Sequence, residues 1–321
     1  MKFFDILITI LITITALPAV ILLYSRKKRK GSWENKHKNL SLFFSILLLL
    51  STVIIFYGSF IEPNLIITNY QTIDLDKINS PIKIALVADF QVGNSKKEKY
   101  VQKVVNRILE LKPDLVFIVG DIVDNEFYEK DEAKYLSPMA EIAKAIPTYA
   151  INGNHEYGIG GGKSIIDPKY RTGDVSEETK QIVESFGIKY LVNELQEIEV
   201  NEQKFYLFGG DSIWADKLDY SILEKRSEDI PTVALIHNPL AVFQAHKQNI
   251  DLMLSGHTHG GQIRLPFVGP LGRVDDILPA EWYQGLNEFE GMKFFVTSGI
   301  GESGTRARLF NPPEIVMLTI E

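Results

Sequence analysis

The 321-residue chain is 45% hydrophobic, carries a formal net charge of −7 and has no cysteine, which excludes disulfides, thiolate metal sites and a cysteine nucleophile. Residues 1–62 hold eight of the 34 Lys and Arg but three of the 41 Asp and Glu, leaving 26 basic against 38 acidic residues beyond them, about −12. So acidic a part argues against nucleic acid as a partner, because phosphate binding takes clustered Lys and Arg, and suits metal cations better.

The chain opens on two apolar runs, from Phe3 to Tyr24 and from Leu42 to Ile61. Each has the length of one helical membrane crossing, about 20 residues. Pro18 in the first is tolerable in a membrane helix. Between them stands Ser25-Arg26-Lys27-Lys28-Arg29-Lys30, followed by Lys36, His37 and Lys38. Short basic loops stay cytoplasmic, so residues 1–62 read as a transmembrane hairpin with everything after it on the exterior face of the cell membrane. A buried core helix is the bland alternative. A cleaved signal peptide fits less well, because the basic cluster follows the apolar run.

Residues 63–80 read as a linker and an edge strand. Residues 81–321 then alternate regularly. Ile82 to Ala88 is an apolar strand ending at Asp89. Lys97 to Leu111 has helical spacing, with Val101, Val104, Val105, Ile108 and Leu109 on one side. Leu115 to Val119 is a strand ending in Gly120-Asp121, Ala133 to Ala145 is helical, and Thr148 to Ile151 is a strand ending in Asn152-Gly153-Asn154-His155. This alternation implies parallel pairing with right-handed crossovers, and ligands then sit beyond the carboxyl ends of the strands.

From Tyr157 to Asp174 the chain makes a long Gly-rich excursion, read as a surface loop or lid. Its Gly160-Gly161-Gly162-Lys163-Ser164 lacks the earlier glycine and the leading strand of a phosphate loop. A helix over 177–186 precedes strands at Lys189–Val192, Ile198–Val200, Lys204–Phe208, Thr232–Ile236, Ile250–Leu254, Lys293–Thr297 and Glu314–Ile320.

Of the six histidines, His155, His237, His257 and His259 directly follow apolar strands, while His246 falls on a helix over 241–248. Asp89, Gln91, Asp121 and Asn154 stand at strand ends too. A mixed nitrogen and oxygen set of this kind suits Mn²⁺, Fe, Zn²⁺ or Mg²⁺. Two such ions about 3.5–4 Å apart stabilise the attacking and leaving oxygens of a displacement at phosphorus.

Asp89-Phe90-Gln91, Gly120-Asp121-Ile122-Val123-Asp124, Gly153-Asn154-His155-Glu156, His237 and Gly256-His257-Thr258-His259 resemble, in order and spacing, the five blocks of the calcineurin-like metallophosphoesterases. Gly260 to Pro266 and Arg308 to Ile315 are similar to its bacterial membrane-associated branch, which has been linked to lipid or cell-envelope substrates. The resemblance implies a four-layer αββα sandwich over 81–321, two divalent metal ions and hydrolysis of a phosphodiester or pyrophosphate bond in a phosphorylated small-molecule or lipid substrate. It implies that Asp89, Gln91, Asp121 and His259 hold one ion. Asp121, Asn154, His237 and His257 hold the other, with Asp121 shared. His155 faces the substrate and protonates the leaving oxygen, and Asp124 orients a ligand.

Gln91 departs from the pattern, since most of the family has His there. A neutral oxygen at that place leans the first site towards Mn²⁺. It also motivates a second reading, a non-catalytic or weakly active envelope protein that keeps the fold and one metal. Glu156 is read as a helix cap or a ligand-orienting group. Arg264, Arg306 and Arg308 are read as phosphate clamps or surface ion pairs, Trp214 and Trp282 as core.

Overall fold

The computed structural model describes residues 3–93, 95–275 and 277–321. Two apolar helices lead, α1 (Phe3–Lys28) and α3 (Lys38–Phe56), joined through the single turn α2 (Trp33–Lys36). They pack on each other through small polar groups. Thr52 Oγ1 donates to Thr15 Oγ1 at 2.8 Å, and the Ser41 hydroxyl donates to the Leu22 carbonyl at 3.3 Å. Such bonds tie helices together where little else distinguishes neighbour from solvent. Ile14, Leu17, Val20, Phe43, Leu50 and Val53 are each more than half exposed. Both helices are long and apolar enough to cross a membrane.

The helical run passes through a π turn, Tyr57–Ile61, into β1 (Ile67–Ile73). Next come β2 (Ile82–Val87), α4 (Glu98–Leu111), β3 (Leu115–Val119), the turn α5 (Ala140–Ala143) and β4 (Thr148–Ile151). After α6 (Lys163–Ile166) and α7 (Ser176–Ser185), β5 (Lys189–Leu191) closes this half. β2 to β5 pair in parallel, as the alternation predicts. The far end of the chain, β14 (Glu314–Ile320), enters the same sheet between β1 and β2, parallel to the first and antiparallel to the second.

A second six-stranded sheet holds β6 (Glu194–Val200), β7 (Gln203–Gly209), β8 (Thr232–Leu235), β9 (Leu252–Ser255), β12 (Gly285–Phe289) and β13 (Met292–Val296), in the order β12-β13-β9-β8-β7-β6. Helix α8 (Val242–Ala245) lies outside it, and β10 (Arg264–Leu265) with β11 (Gly269–Pro270) forms a separate ribbon.

Between the sheets Ile84, Leu86, Phe117 and Val119 meet Leu207, Leu235, Leu254 and Phe295. Outside the first sheet, Val101, Val104, Val105 and Ile108 of α4 cover Ala85, Val87, Val116 and Ile118. Outside the second, Ala241, Val242 and Ala245 cover Phe208, Ala234, Met253 and Phe294. The result is the expected four-layer αββα sandwich, each large buried side chain contributing about 1.5–3 kcal/mol.

Three elements differ from expectation. The helix expected over 133–145 is a 3₁₀ run, Glu132–Met139, followed by α5. Pro138 within it lacks the N–H that an α-helical bond needs. β6 begins four residues before the expected Ile198, and β12 was not expected. Both are edge strands with at most one buried residue, so their hydrophobic alternation is faint.

Candidate metal-binding active site

β2, β3 and β4 of the first sheet and β8 and β9 of the second end on one seam, and every strand-end residue singled out in the sequence gathers there, buried. On the first sheet Asp89, Gln91 and Asp121 adopt left-handed backbone, with φ of 55°, 49° and 48°. This conformation is unfavourable for a side-chain-bearing residue and persists only where its surroundings fix it. Here Asp89 N–H donates to the Gly120 carbonyl and Gln91 N–H to the Asp121 carbonyl, both at 3.0 Å. Asp121 Oδ1 accepts the His155 N–H at 2.9 Å. The neighbouring loop must be glycine at Gly153, because a Cβ there would fall on the Asp121 carboxylate.

The imidazoles come mostly from the second sheet. His237 Nδ1 lies 2.7 Å from the Val119 carbonyl, which only accepts, so Nδ1 carries a proton. With Nδ1 so engaged, His237 turns its Nε2 to Asp121 Oδ2 at 3.0 Å. His257 Nδ1 lies 2.8 Å from the Asn154 amide oxygen, leaving its Nε2 without a partner. His259 Nε2 lies 3.7 Å from Asp89 Oδ1, with Nδ1 3.3 Å from the Gly301 carbonyl. Gln91 donates its amide nitrogen to Asp121 Oδ2 at 3.2 Å, and its Oε1 is buried without a partner.

Ligand atoms of Asp121, His237 and His257 lie within 4.8 Å of one another. Buried lone pairs aimed at carboxylate oxygens call for a cation between them, so these residues fit a metal site. The ionisation of the cluster has the same cause. Burial resists charge on His237, but Asp121 outweighs it and pushes the imidazole up to about 10. Burial and the nearby His237 hold His257 well below the usual histidine range, the neutral form a metal needs. Burial with Arg308 takes His259 down to about 3. Asp89, buried and facing Asp121, is pushed up to about 7. Asp121 is held low, because His237 and His155 together overcome its burial.

His155 stands apart. Its Nδ1 lies 2.7 Å from the Asp124 carbonyl, which fixes the ring. Its Nε2 points towards the cluster, 4.0 Å from Asp121 Oδ2 and 3.4 Å from Ser303 Oγ. Burial lowers its proton affinity, but Asp121 and the Asp124 carbonyl outweigh this and raise it above the ordinary histidine value.

Four residues do more than the sequence suggested. Glu156 does more than cap its own turn. Its carboxylate accepts the N–H groups of Ile122 and Gly153, both at 2.7 Å, and of Val123 at 3.3 Å, clamping the Asp121 and Asn154 loops together. Asn125 Nδ2 donates to the His155 and Gly173 carbonyls at 2.8 Å, tying the end of the excursion to the site. Trp214 is not core. Its ring meets His257 edge-on at 4.3 Å, and with Gly160 of the excursion it lines a cavity of about 30 Å³ over the cluster. Arg308 is neither clamp nor surface pair. Fully buried, it donates to the carbonyls of Ser298, Gly299, Gly301 and Asn311.

Arg264 donates to the Gly260 carbonyl at 2.8 Å, and Arg306 pairs with Asp5 of α1 at 2.9 Å. Trp282 packs on Phe243, Phe289 and Phe294, as expected of core, and His246 lies against Phe289. A larger cavity of about 490 Å³ runs from His155 to Phe4 and Leu7 of α1.

Residues 82–261 match the sequence profile of the calcineurin-like phosphoesterases. The chain is 32% identical to the phosphodiesterase YaeI of Escherichia coli over 75% of its own length and 83% of that protein's. It is 30% identical to an uncharacterized metallophosphoesterase of Aquifex aeolicus, over 78% of this chain and 90% of the other. It is also 30% identical to a bovine transmembrane protein with a metallophosphoesterase domain, covering 75% of this chain and 53% of that protein. A solved Thermus thermophilus structure superposes with a TM-score of 0.42 at 9% identity, over 69% of this chain and 91% of the other.

Proposed function

The chain belongs to the calcineurin-like phosphoesterase family and is a hydrolase acting on phosphoester bonds, and from that premise we propose that it cleaves a phosphodiester or pyrophosphate bond at a two-ion centre. The observation that carries this is the convergence of Asp121, His237 and His257, all buried, with ligand atoms within 4.8 Å of one another. Asp121, Asn154, His237 and His257 would hold one ion, and Asp89, Gln91, Asp121 and His259 the other. Bound there, two divalent ions offset phosphate charge and lower the pKa of water. The oxygen-rich first set leans towards Mn²⁺, with Fe, Zn²⁺ and Mg²⁺ as the other metals such ligands take.

The protein groups divide the remaining work. His155, steered by the Asp124 carbonyl so that its Nε2 faces the cluster, would give a proton to the leaving oxygen. Glu156 fixes the two loops that carry Asp121 and His155. Trp214 holds His257 in register and keeps water from that side.

In this reading α1 and α3 span the cell membrane as a hairpin (residues 1–62), the basic loop at 26–30 faces the cytoplasm, and the catalytic domain over 81–321 faces the exterior. The exposed apolar surface of both helices supports it, since it needs an apolar surrounding. The substrate is a phosphorylated small molecule or lipid presented at that surface. A second reading, a weakly active protein with one occupied site, is favoured by the Gln91 amide nitrogen turned on Asp121.

The test incubates the full chain in detergent with each divalent metal and with chromogenic monoesters, diesters and pyrophosphate esters. Turnover that disappears in Asp121→Asn and His155→Ala is expected. No turnover with any metal and any ester would overturn the enzyme reading in favour of the second. A reporter fused after Glu321 should be active only outside the cell.

A further inference from the structure

Two arginines two residues apart have opposite surroundings. Arg308 is fully buried and gives its guanidinium to four backbone carbonyls, so it is not available to a ligand. The Arg306 side chain is 23% exposed and pairs with a carboxylate through Nη2, 2.9 Å from Asp5 Oδ1. Its guanidinium rests 4.9 Å from the centre of the Phe4 ring. Both contacts come from the first two turns of α1, 301 residues away along the chain.

Arg306 lines the 490 Å³ cavity that opens on His155. The carboxylates along that cavity are Asp124, Glu126 and Glu302, and among the described residues Arg306 is the one Arg or Lys there. Along this lining His155 and Arg306 are the side chains able to attract an anion. A partly exposed ion pair such as Asp5–Arg306 is weak and exchanges readily. A guanidinium offers a planar fork that suits a phosphate or carboxylate oxygen pair.

We propose that Arg306 is a specificity-determining residue that binds a second anionic group of the substrate, and that Asp5 of the leading helix holds it in reserve until that group arrives. This rests on the hydrolase reading above and deepens it. The substrate is a phosphoester with a second phosphate or carboxylate beyond the scissile bond, as in a pyrophosphate diester. The first helix is then a wall of the binding pocket as well as part of an anchor.

The test compares the full chain in detergent on two esters, bis-p-nitrophenyl phosphate with one negative charge and a nucleoside-diphosphate diester with two. Arg306→Gln should lower the preference for the two-charge ester by about 10- to 100-fold, through KM and not kcat, with partial rescue by Arg306→Lys. Asp5→Asn should lower KM for the two-charge ester, because the competing carboxylate is gone. Equal losses on both esters, or none, would overturn the assignment while leaving the hydrolase reading intact. Calorimetric binding of inorganic pyrophosphate decides the case even without turnover. Affinity should rank Asp5→Asn above wild type above Arg306→Gln, and identical affinities would sink the proposal.

Discussion

The two sheets contribute different chemistry to the seam they share. The strand ends of the first carry mainly oxygen donors, Asp89, Gln91, Asp121 and Asn154, together with His155. Those of the second carry nitrogen donors, His237, His257 and His259. Both bend the chain back through left-handed residues, at 89, 91 and 121 on one side and at 257 and 259 on the other. The candidate metal group of Asp121, His237 and His257 draws on both sheets, so the apolar layer between them also sets its geometry.

The largest test of that division removes the oxygen that both halves touch. Asp121→Ala is expected to lower kcat by at least about 10²–10³-fold and to strip bound metal, read by turnover and elemental analysis. His237→Ala should lose more metal than Gln91→Ala. Equal losses would mean that the two ion sites are alike.

Phe117→Ala strikes the layer between the sheets and should cost about 3–5 kcal/mol, measured as a shift in the urea midpoint. Metal affinity should fall with it, because a loosened seam separates imidazoles from carboxylates. Unchanged metal affinity in a destabilised protein would break the link between packing and site.

Glu156→Gln acts within the first sheet alone. Its carboxylate holds two loops without lining the cavities at the site, so a loss of about 10–100-fold in metal affinity or activity is expected. Wild-type activity in the variant would show that the loops hold their shape unaided.

The smallest effect is one of pH, at Glu132, which accepts the Asn125 N–H at 2.8 Å. Burial, with Asp124, Glu129 and Glu126 nearby, pushes its carboxyl up to about 7. The unfolded chain releases that proton near pH 4, at about 4.3, and the folded one holds it to about 7. Wild type therefore loses stability relative to Glu132→Gln as pH rises through that window, with a flat difference above it. Parallel melting curves from pH 4 to 8 would refute the shift.

Much of the first sheet was legible because its strands are short apolar runs, each closed by a polar motif, and α4 shows a clean helical face. The convergence of strand-end Asp, Asn, Gln and His residues was foreshadowed because metal chemistry restricts residue types. What stayed hidden depends on contacts between distant segments. Glu156 works on backbone N–H groups, which leave no mark on the residues that carry them. Arg308 looks like any surface arginine until four carbonyls surround it. Trp214 belongs to the site only because the loop after β7 folds over His257. Asn125 depends on where Gly173 returns.

The placement of β14 sets a condition on how the first sheet is held together. Glu314–Ile320 fills the gap between β1 and β2, pairing with both. Until that segment arrives, two strands present bare edges, and the sheet that carries Asp89 and Asp121 is split. A change that frees β14 therefore unpairs β1 and β2 together, and parts the strand that follows the leading helices from the strands that carry Asp89 and Asp121.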